Sequence, residues 1–197
     1  YVGGILVMPS WNHAKGWRKG RYEVVEASLK TQKGIIFVDN ETREKIDSES
    51  ADLKKIKNIG RMVFLKDMET GEIINFNMVV IGSYKYLMKE NNQLSKNTYL
   101  ERDADFDGTI LFYHPDGRFV NGWRYENGKI THRLSPLEEF NPPTKAWVER
   151  CYEDCYPYSE NICENSIEDD EEFGQAPVIE CRTEWHENCY KTCQIEW

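Results

Sequence analysis

The six cysteines of this chain all lie in its last fifty residues, and their spacing restricts the fold more than any other feature. The intervals between them are 4, 8, 18, 8 and 4 residues, a series that reads the same in both directions. Pairing from the outside inward gives every pair the same sum of residue numbers, 344. Paired residues of an antiparallel hairpin share a constant sum, so the spacing predicts two arms joined by three nested disulfides. The predicted bridges are Cys151–Cys193, Cys155–Cys189 and Cys163–Cys181.

Other residues of the same segment fit this register. Trp147 and Trp197 share the sum, as do Glu153 and Lys191, and all these positions are odd, which places them on one face of a strand pair. The arms are rich in Tyr, Trp, Val, Ile and Thr, which favours strands. A helical hairpin is the alternative, because a Cys-xxx-Cys spacing also puts two cysteines on one helical face. In that case Pro157 would end the first helix.

An even cysteine number confined to one segment is typical of disulfides formed in an oxidising compartment. The alternative is a zinc site, for which His186 and the four outer cysteines would supply imidazole and thiolate ligands. The gaps of three residues in the two Cys-xxx-Cys pairs differ from the commonest zinc knuckle. Zinc also leaves the mirrored inner pair, Cys163 and Cys181, unexplained. Disulfides are therefore the preferred interpretation.

The charge of the chain is divided unevenly. Residues 146–197 hold 14 acidic and 3 basic side chains, whereas residues 1–145 hold 20 acidic and 22 basic ones. This difference, together with Asn141-Pro142-Pro143, predicts an antiparallel β domain over residues 1–140 and an acidic, disulfide-bonded hairpin over residues 141–197. The acidity of the cysteine segment argues against nucleic acid as a partner, because phosphate binding requires a basic surface.

The first 140 residues are typical of a mainly β chain, an antiparallel sandwich or open barrel with one or two short helices. Hydrophobic runs predict strands at 4–8, 22–29, 34–40, 61–81 and 109–134, the last two ranges containing hairpins. Turns are expected at Gly71, at Gly117 and at Asn127-Gly128, the last of which would pair Glu126 with Lys129. Short helices are expected at 51–57, after Ser50, and at 83–90, and a loop is expected from Ser10 to Arg21.

The segment from Phe112 to Ile130, Phe-Tyr-His-Pro-Asp-Gly-Arg-Phe-Val-Asn-Gly-Trp-Arg-Tyr-Glu-Asn-Gly-Lys-Ile, is built from turn signals between short strands. It is similar to the Asn-Gly hairpins of bacterial surface repeat proteins. It resembles more closely uncharacterised secreted or lipid-anchored bacterial proteins in which a segment like Asp105-Phe106-Asp107-Gly108 precedes such a meander and a cysteine-bearing, aromatic tail follows it. The resemblance covers about thirty residues and implies an extracellular or cell-envelope location. It carries over no catalytic residue.

An acidic stretch precedes the last meander and has the start of a calcium-loop pattern. Asp103, Asp105 and Asp107 alternate along the chain before Gly108, and Thr109 would add a carbonyl oxygen. The twelfth position is His114 instead of the usual bidentate glutamate, and a strand follows instead of a helix. A hydrated acidic turn is the alternative to a calcium site. The chain offers no other cofactor signal, save that calcium could also associate with the acidic run 168–172.

A second candidate site combines aromatic and basic side chains in the expected loop near the amino terminus. Trp11, Trp17, Arg18 and Lys19, with Lys15, would suit a glycan or an acidic protein, since Trp and Arg are frequent at binding surfaces. The alternative is that the tryptophans close one end of the β core.

These features together predict a non-enzymatic secreted or cell-surface protein that presents its hairpin to a partner. No common catalytic motif occurs in the sequence. One alternative is a pro-segment, accessory domain or inhibitor of a secreted enzyme, and another is a calcium-dependent extracellular enzyme. No stretch is long and apolar enough for a spanning helix. Because the chain starts at Tyr1, a processed leader or an upstream lipid anchor would fit the predicted location.

Overall fold

The computed structural model describes residues 2, 6–31, 35–91, 93–136, 151–166 and 178–194. These residues form ten strands, two α-helices and one 3₁₀ turn at Leu94–Lys96. The strands are β1 (Val7–Lys19), β2 (Tyr22–Thr31), β3 (Ile35–Phe37), β4 (Asn58–Asp67), β5 (Ile73–Gly82), β6 (Gly108–Tyr113), β7 (Phe119–Glu126), β8 (Lys129–Ser135), β9 (Cys151–Ser166) and β10 (Val178–Gln194). The helices are α1 (Asn40–Asp47) and α2 (Tyr84–Met88). The prediction of a mainly β chain with two short helices is confirmed.

The ten strands make one continuous antiparallel sheet in the order β1-β2-β4-β5-β6-β7-β8-β10-β9-β3. Although β2 and β3 lie far apart in this order, the chain passes from Thr31 to Ile35 in four residue steps, which span at most about 14 Å. The two ends of the sheet must therefore be close in space. Val7 and Leu29 from one end and Phe37 and Tyr158 from the other pack into the same hydrophobic cluster. This is the arrangement of an open barrel.

Both faces of the central strands are buried. The concave face carries Val79, Leu111 and Leu134 and forms the core of the barrel. The outer face carries Val63, Met78, Val80 and Ile110, and is covered by α2, by the 3₁₀ turn and by the segment that leads into β6. Phe76, Met78 and Val80 alternate along β5 on the outer face, and the opposite face also lies in a core, where Asn77 is fully buried.

Two local predictions are wrong. The expected loop from Ser10 to Arg21 is a strand as far as Lys19, because β1 pairs with β2 on both sides of a register shift between Ser10 and Lys15. The first helix is α1 at Asn40–Asp47 and not at 51–57. Its N-cap is Asp39, whose side chain accepts a hydrogen bond from the backbone N–H of Thr42 at 2.8 Å.

The predicted turns are confirmed. Gly71 and Gly117 have positive φ angles, and Asn127 and Gly128 both do, as a type I′ turn requires. Glu126 pairs with Lys129 across this turn. The second expected helix is α2, which begins after Ser83 as its N-cap. Residues 3–5 lie outside the described residues, so the first strand is seen only from Val7.

The cysteine segment is a β-hairpin, and the helical alternative is wrong. The pairs Cys163–Cys181, Cys155–Cys189, Cys151–Cys193 and Glu153–Lys191 are all Cα partners, as the mirrored spacing predicted. The hairpin also joins the sheet, since β10 pairs with β8 and β9 pairs with β3. The predicted boundary at residue 140 and the Trp147–Trp197 pair lie outside the described residues, so the two-domain division stays a prediction. No helix among the described residues is long and apolar enough to cross a membrane.

Candidate functional site

Near the base of the hairpin, a disulfide joins its two arms, and side-chain contacts hold this part against the barrel. Cys155 and Cys189 form a disulfide, with their Cα atoms 3.9 Å apart. Among the described residues, Cys155, Cys189 and Glu187 are the one group of three potential metal-binding side chains whose ligand atoms all lie within 4.8 Å of one another. Because both sulfurs are joined to each other, they have no thiolate to offer zinc, and the zinc alternative is wrong for this pair. The side chains of the other four cysteines lie outside the described residues.

Helix α1 braces the same part of the hairpin. The guanidinium of Arg43 lies 2.6 Å from a carboxylate oxygen of Glu187 and 5.5 Å from the ring centre of Trp185. Arg43 belongs to α1, whereas the two residues that it contacts belong to β10. The ring of His186 stacks on Tyr158 of β9 at 5.1 Å. The Arg43 contacts join α1 to the hairpin, whereas the stack of His186 on Tyr158 joins the two arms of the hairpin to each other.

Tyrosines from the hairpin enter the core of the barrel, which the sequence pattern did not reveal. The hydroxyls of Tyr190 and Tyr113 lie 2.5 Å apart, and both rings are almost fully buried. Tyr156 lies within hydrogen-bonding distance of Thr109 at 3.2 Å and accepts a hydrogen bond from Arg124 at 3.1 Å. Tyr156 and Tyr190 thus point into the core, while Cys155 and Cys189, each one residue earlier, lie on the other face of the strand pair. Alternation along the strands explains this division.

The buried tyrosine pair predicts a loss of stability at alkaline pH. Burial raises the pKa of both Tyr113 and Tyr190 above the value of an exposed phenol. Above pH ~10 the unfolded chain loses these protons while the folded protein keeps them, so the free energy of unfolding should fall with rising pH, by up to about 1.4 kcal/mol per pH unit for each group. Urea unfolding between pH 8 and 11, measured for the wild type and a Tyr113→Phe/Tyr190→Phe variant, tests this. An equally steep fall in the double variant would contradict the assignment.

The predicted calcium residues are divided between two environments. The carboxylate of Asp103 accepts a hydrogen bond from the buried hydroxyl of Tyr86 at 2.7 Å, and the side chain of Thr109 is directed to Tyr156. Asp105 is exposed, and its carbonyl oxygen lies 3.5 Å from the ammonium of Lys89. Among the described residues, no three carboxylates of this stretch converge as metal ligands. Calcium binding here stays a prediction.

The glycine of this acidic stretch has a structural explanation. Gly108 has a φ of +152°, and a Cβ atom there would lie 2.1 Å from the carbonyl oxygen of Ile81. The neighbouring backbone is also engaged, because Ser83 donates to the carbonyl of Asp107 at 2.9 Å and Gly128 donates to that of Phe106 at 2.7 Å. The pattern of aspartates and glycine therefore matches a turn that joins the β7–β8 hairpin to α2.

Asp107 lies in a small polar cleft of about 200 Å³ at one end of the barrel, which also contains Asp39, Glu126, Arg124 and Thr109. Burial raises the pKa of Asp107, and the nearby charge of Glu126 raises it further. The side chain of Ser83 hydrogen-bonds the carboxylate and acts in the opposite direction. The cleft thus holds two interacting carboxylates, Asp107 and Glu126, beside the guanidinium of Arg124. The turns and strands that meet here account for these side chains without a ligand.

The aromatic and basic residues near the amino terminus do not form one patch. Trp11 is 55% exposed and packs on Phe64 at 5.5 Å. In the register of β1 with β2, Trp17 is opposite Val24 of the outer core and Lys19 is opposite Tyr22. Trp17 and Lys19 therefore share the outer face, whereas Arg18, between them, lies on the other face. Binding by this set as a unit stays a prediction.

A buried ion pair holds the segment after the 3₁₀ turn against the outer face. Glu26 is 3% exposed, and its Oε2 atom lies 3.0 Å from Nε of Arg61. Its other carboxylate oxygen accepts a hydrogen bond from the backbone N–H of Tyr99 at 2.6 Å. Arg61 in turn donates to the carbonyl oxygens of Asn97 at 2.6 Å and Ser95 at 2.9 Å. Both charged side chains are therefore used to position Tyr99.

Tyr99 lies where three clefts of the outer face meet. The largest has a volume of about 690 Å³ and is lined by Lys19, Tyr22, Leu65 and Ile74 among others. The second, of about 410 Å³, also contains Tyr99 and Ile74. The third, of about 510 Å³, contains Tyr99 and Leu100. We call the three together the Tyr99 groove.

Comparisons with protein-family models, with curated proteins and with solved structures found no match. The hairpin and the Tyr99 groove are therefore the two features of the molecule that bear on its function. The sequence pattern identified the first of these through its cysteines. It missed the second as a site, and of the groove's residues only Lys19 was among the predicted binding residues. The groove is lined by residues of β1, β2 and β4 to β8 and by the segment that carries Tyr99, which only the tertiary fold brings together. The one sequence signal of the groove was a charged residue, Glu26, among the apolar residues of β2.

Proposed function

We propose that this chain is a non-enzymatic binding protein of an extracellular or cell-envelope setting, and that its β9–β10 hairpin binds a protein partner with a basic surface. The proposal is supported mainly by the distal part of the hairpin. Residues 161–166 and 178–183 pair with one another and, among the described strands, with no third strand. At about 3.3 Å per residue, this ribbon extends about 20 Å past the sheet.

The register of the ribbon favours a partner of opposite charge. Glu164 is the Cα partner of Glu180 within the ribbon, and Glu160 is the Cα partner of Glu184 where the ribbon meets the sheet. Like charges at directly opposite positions destabilise an antiparallel pair. A two-stranded ribbon is itself only marginally stable in water, so these positions are costly unless they have a role. A basic partner would relieve the repulsion, and the whole segment 146–197, with 14 acidic against 3 basic side chains, would attract one.

The disulfide supports both the extracellular setting and the way in which the ribbon is presented. A cross-link between Cys155 and Cys189 is stable in an oxidising compartment and not in a reducing cytosol. It lies at the base of the hairpin, where β3, β8 and α1 also make contact, and not in the ribbon beyond it. The second candidate, an inhibitor or accessory segment of a secreted enzyme, would use the same ribbon. It differs only in the identity of the partner.

Shortening the ribbon should abolish partner binding and preserve the barrel. Replacing residues 161–183 by Asn-Gly joins Glu160 to Glu184, which are already opposite each other, through a two-residue turn. A photo-reactive residue at position 162 should cross-link a basic protein in envelope extracts of the native host, and cross-linking should weaken at ~0.5 M salt. A Glu164→Gln/Glu180→Gln variant should cross-link less, whereas the same probe at Ala14, on β1, should give a different pattern.

The result against the proposal would be cross-linking of the same protein from both positions, or cross-linking that neither salt nor the glutamine variant reduces. Circular dichroism of the shortened variant should retain the barrel signal, which separates loss of the ribbon from loss of the fold. If the partner is a hydrolase whose activity falls when this protein is added, the inhibitor role is the correct one.

A further inference from the structure

The Tyr99 groove contains a cleft whose side chains suit a specific class of ligand and do not depend on the hairpin. One of its three clefts, with a volume of about 410 Å³, has the size of a small-ligand site. The lining comes from the adjacent strands β5, β6 and β7 and from the segment that carries Tyr99. It consists of Ile74, Asn75, Phe76, Tyr99, Phe112, His114, Val120, Asn121 and Trp123.

Aromatic side chains form much of this lining, and they support one another. The ring of Phe76 lies 5.3 Å from that of Tyr99 and 5.8 Å from that of Phe112. The rings of Tyr99 and Phe112 meet edge to face at 6.4 Å. Mutual packing at these distances holds aromatic rings in fixed orientations. The cleft therefore offers preformed apolar surfaces and needs little rearrangement to accept a ligand.

Polar groups accompany the rings, and none of them carries a fixed charge. The amide of Asn121 and the exposed imidazole of His114 line the cleft, whereas Asn75, which also borders it, lies on the opposite face of β5 from Phe76. None of the nine lining residues is Lys, Arg, Asp or Glu, although 30% of the chain is charged. Amide side chains both donate and accept hydrogen bonds, as pairs of neighbouring hydroxyls do. The cleft thus matches a neutral, hydroxyl-rich ligand and offers no counter-charge to an ion.

We propose that the Tyr99 groove binds a neutral oligosaccharide, with one pyranose ring in the aromatic cleft between Trp123, Phe112 and Tyr99. The C–H-rich face of a pyranose packs on aromatic rings, while its hydroxyls exchange hydrogen bonds with amides. The adjoining clefts share Tyr99 with this one and would accommodate further sugar units beside charged side chains, namely Lys19, Arg21, Asp67, Glu72, Arg102 and Lys129. The ion pair of Glu26 and Arg61 keeps Tyr99 in place before the ligand arrives.

Titration of the full chain with neutral oligosaccharides, followed by tryptophan fluorescence and calorimetry, tests the proposal. The panel should contain β-linked glucose, xylose, mannose and N-acetylglucosamine oligomers and α-linked glucose oligomers, with polygalacturonate as the charged comparison. At least one neutral oligomer should bind in the micromolar to millimolar range and more tightly than its own monosaccharide. Asn121→Ala should weaken binding about tenfold, as loss of a buried hydrogen-bonded contact costs ~1.4 kcal/mol, and Trp123→Ala should weaken it further.

A matched control lies on the first strand. Asn12→Ala removes the same residue type as Asn121→Ala at an exposed position outside the cleft, and should leave affinity unchanged within twofold. Because Trp123 also contacts the outer core, Asn121→Ala decides the matter if the tryptophan variant fails to fold. Absence of binding by every neutral oligomer at millimolar concentration, or equal binding by wild type and Asn121→Ala, would overturn the proposal. So would preferential binding of polygalacturonate.

Discussion

Replacing Arg61 by alanine should lower the free energy of unfolding by about 3 to 5 kcal/mol. The carboxylate of Glu26 is only 3% exposed, and Arg61 lies 3.0 Å from it. Removing the cation leaves a buried charge without compensation, and it also removes the hydrogen bonds to the carbonyl oxygens of Asn97 and Ser95. Denaturant unfolding, followed by circular dichroism, measures the loss directly.

The partner substitutions separate the ion pair from simple packing. Glu26→Gln should also destabilise the protein strongly, because it leaves Arg61 with its positive charge and little access to water. A Glu26→Gln/Arg61→Met variant should recover much of that loss, since a buried ion pair replaced by neutral groups of similar size often costs little. Arg21→Ala, which removes the exposed contacts with Asp67 and Glu69, should have a far smaller effect. Losses of similar size for Arg21 and Arg61 would contradict the role assigned to burial.

The Arg61 variants also connect stability to the groove. Since the backbone N–H of Tyr99 donates to Glu26, loss of the pair should free the segment that carries Tyr99. We therefore expect the folded fraction of Arg61→Ala to bind saccharide more weakly than the wild type, although Arg61 is not among the residues that line the three clefts. Groove binding that is unaffected in a properly folded Arg61→Ala protein would show that the ion pair stabilises the sheet alone.

Removing the Cys155–Cys189 disulfide should cost about 3 to 4 kcal/mol. The bridge joins residues 34 positions apart, and the loop-closure relation gives about 3.8 kcal/mol for a loop of that length. If the inner pair Cys163–Cys181 is also bridged, as the sequence predicts, the loop that this bond closes is shorter and the expected loss is nearer 3 kcal/mol. A Cys155→Ala/Cys189→Ala variant, compared with the wild type by urea unfolding, tests this.

The position of the disulfide gives that variant a second readout. Cys155 and Cys189 precede Tyr156 and Tyr190, whose side chains enter the barrel core. Loosening this point should reduce the near-ultraviolet circular dichroism of the tyrosines before the far-ultraviolet signal changes. A thiol assay on the native wild-type protein should find no reactive cysteine, and six should appear after reduction in denaturant. Free thiols in the native wild type, or a stability loss below ~1 kcal/mol, would contradict the predicted framework.

Much of the hairpin could be predicted because its information is local and periodic. The mirrored cysteines defined a register in which a shift by one residue would exchange the two faces, and the structure has that register at every cysteine pair. Asn127-Gly128 and Gly71 predicted their turns for a similarly local reason, since few other residues adopt positive φ at low cost. The aspartate-glycine pattern at 103–108 was also local. Gly108 is needed because the backbone of Ile81 passes close to it, and the sequence alone does not distinguish this requirement from that of a metal-binding loop.

The sequence by itself determined the mainly β class, the turn positions and the register of the cysteine hairpin, because these depend on residue spacing and backbone preference over short distances. Only the tertiary structure decided that β3, next to β2 in the chain, closes the far end of the sheet beside β9. That closure places the hairpin's tyrosines in the barrel core, and the burial of Glu26 with Arg61 places Tyr99 over the groove. Both depend on contacts between residues distant in sequence, which no local pattern records.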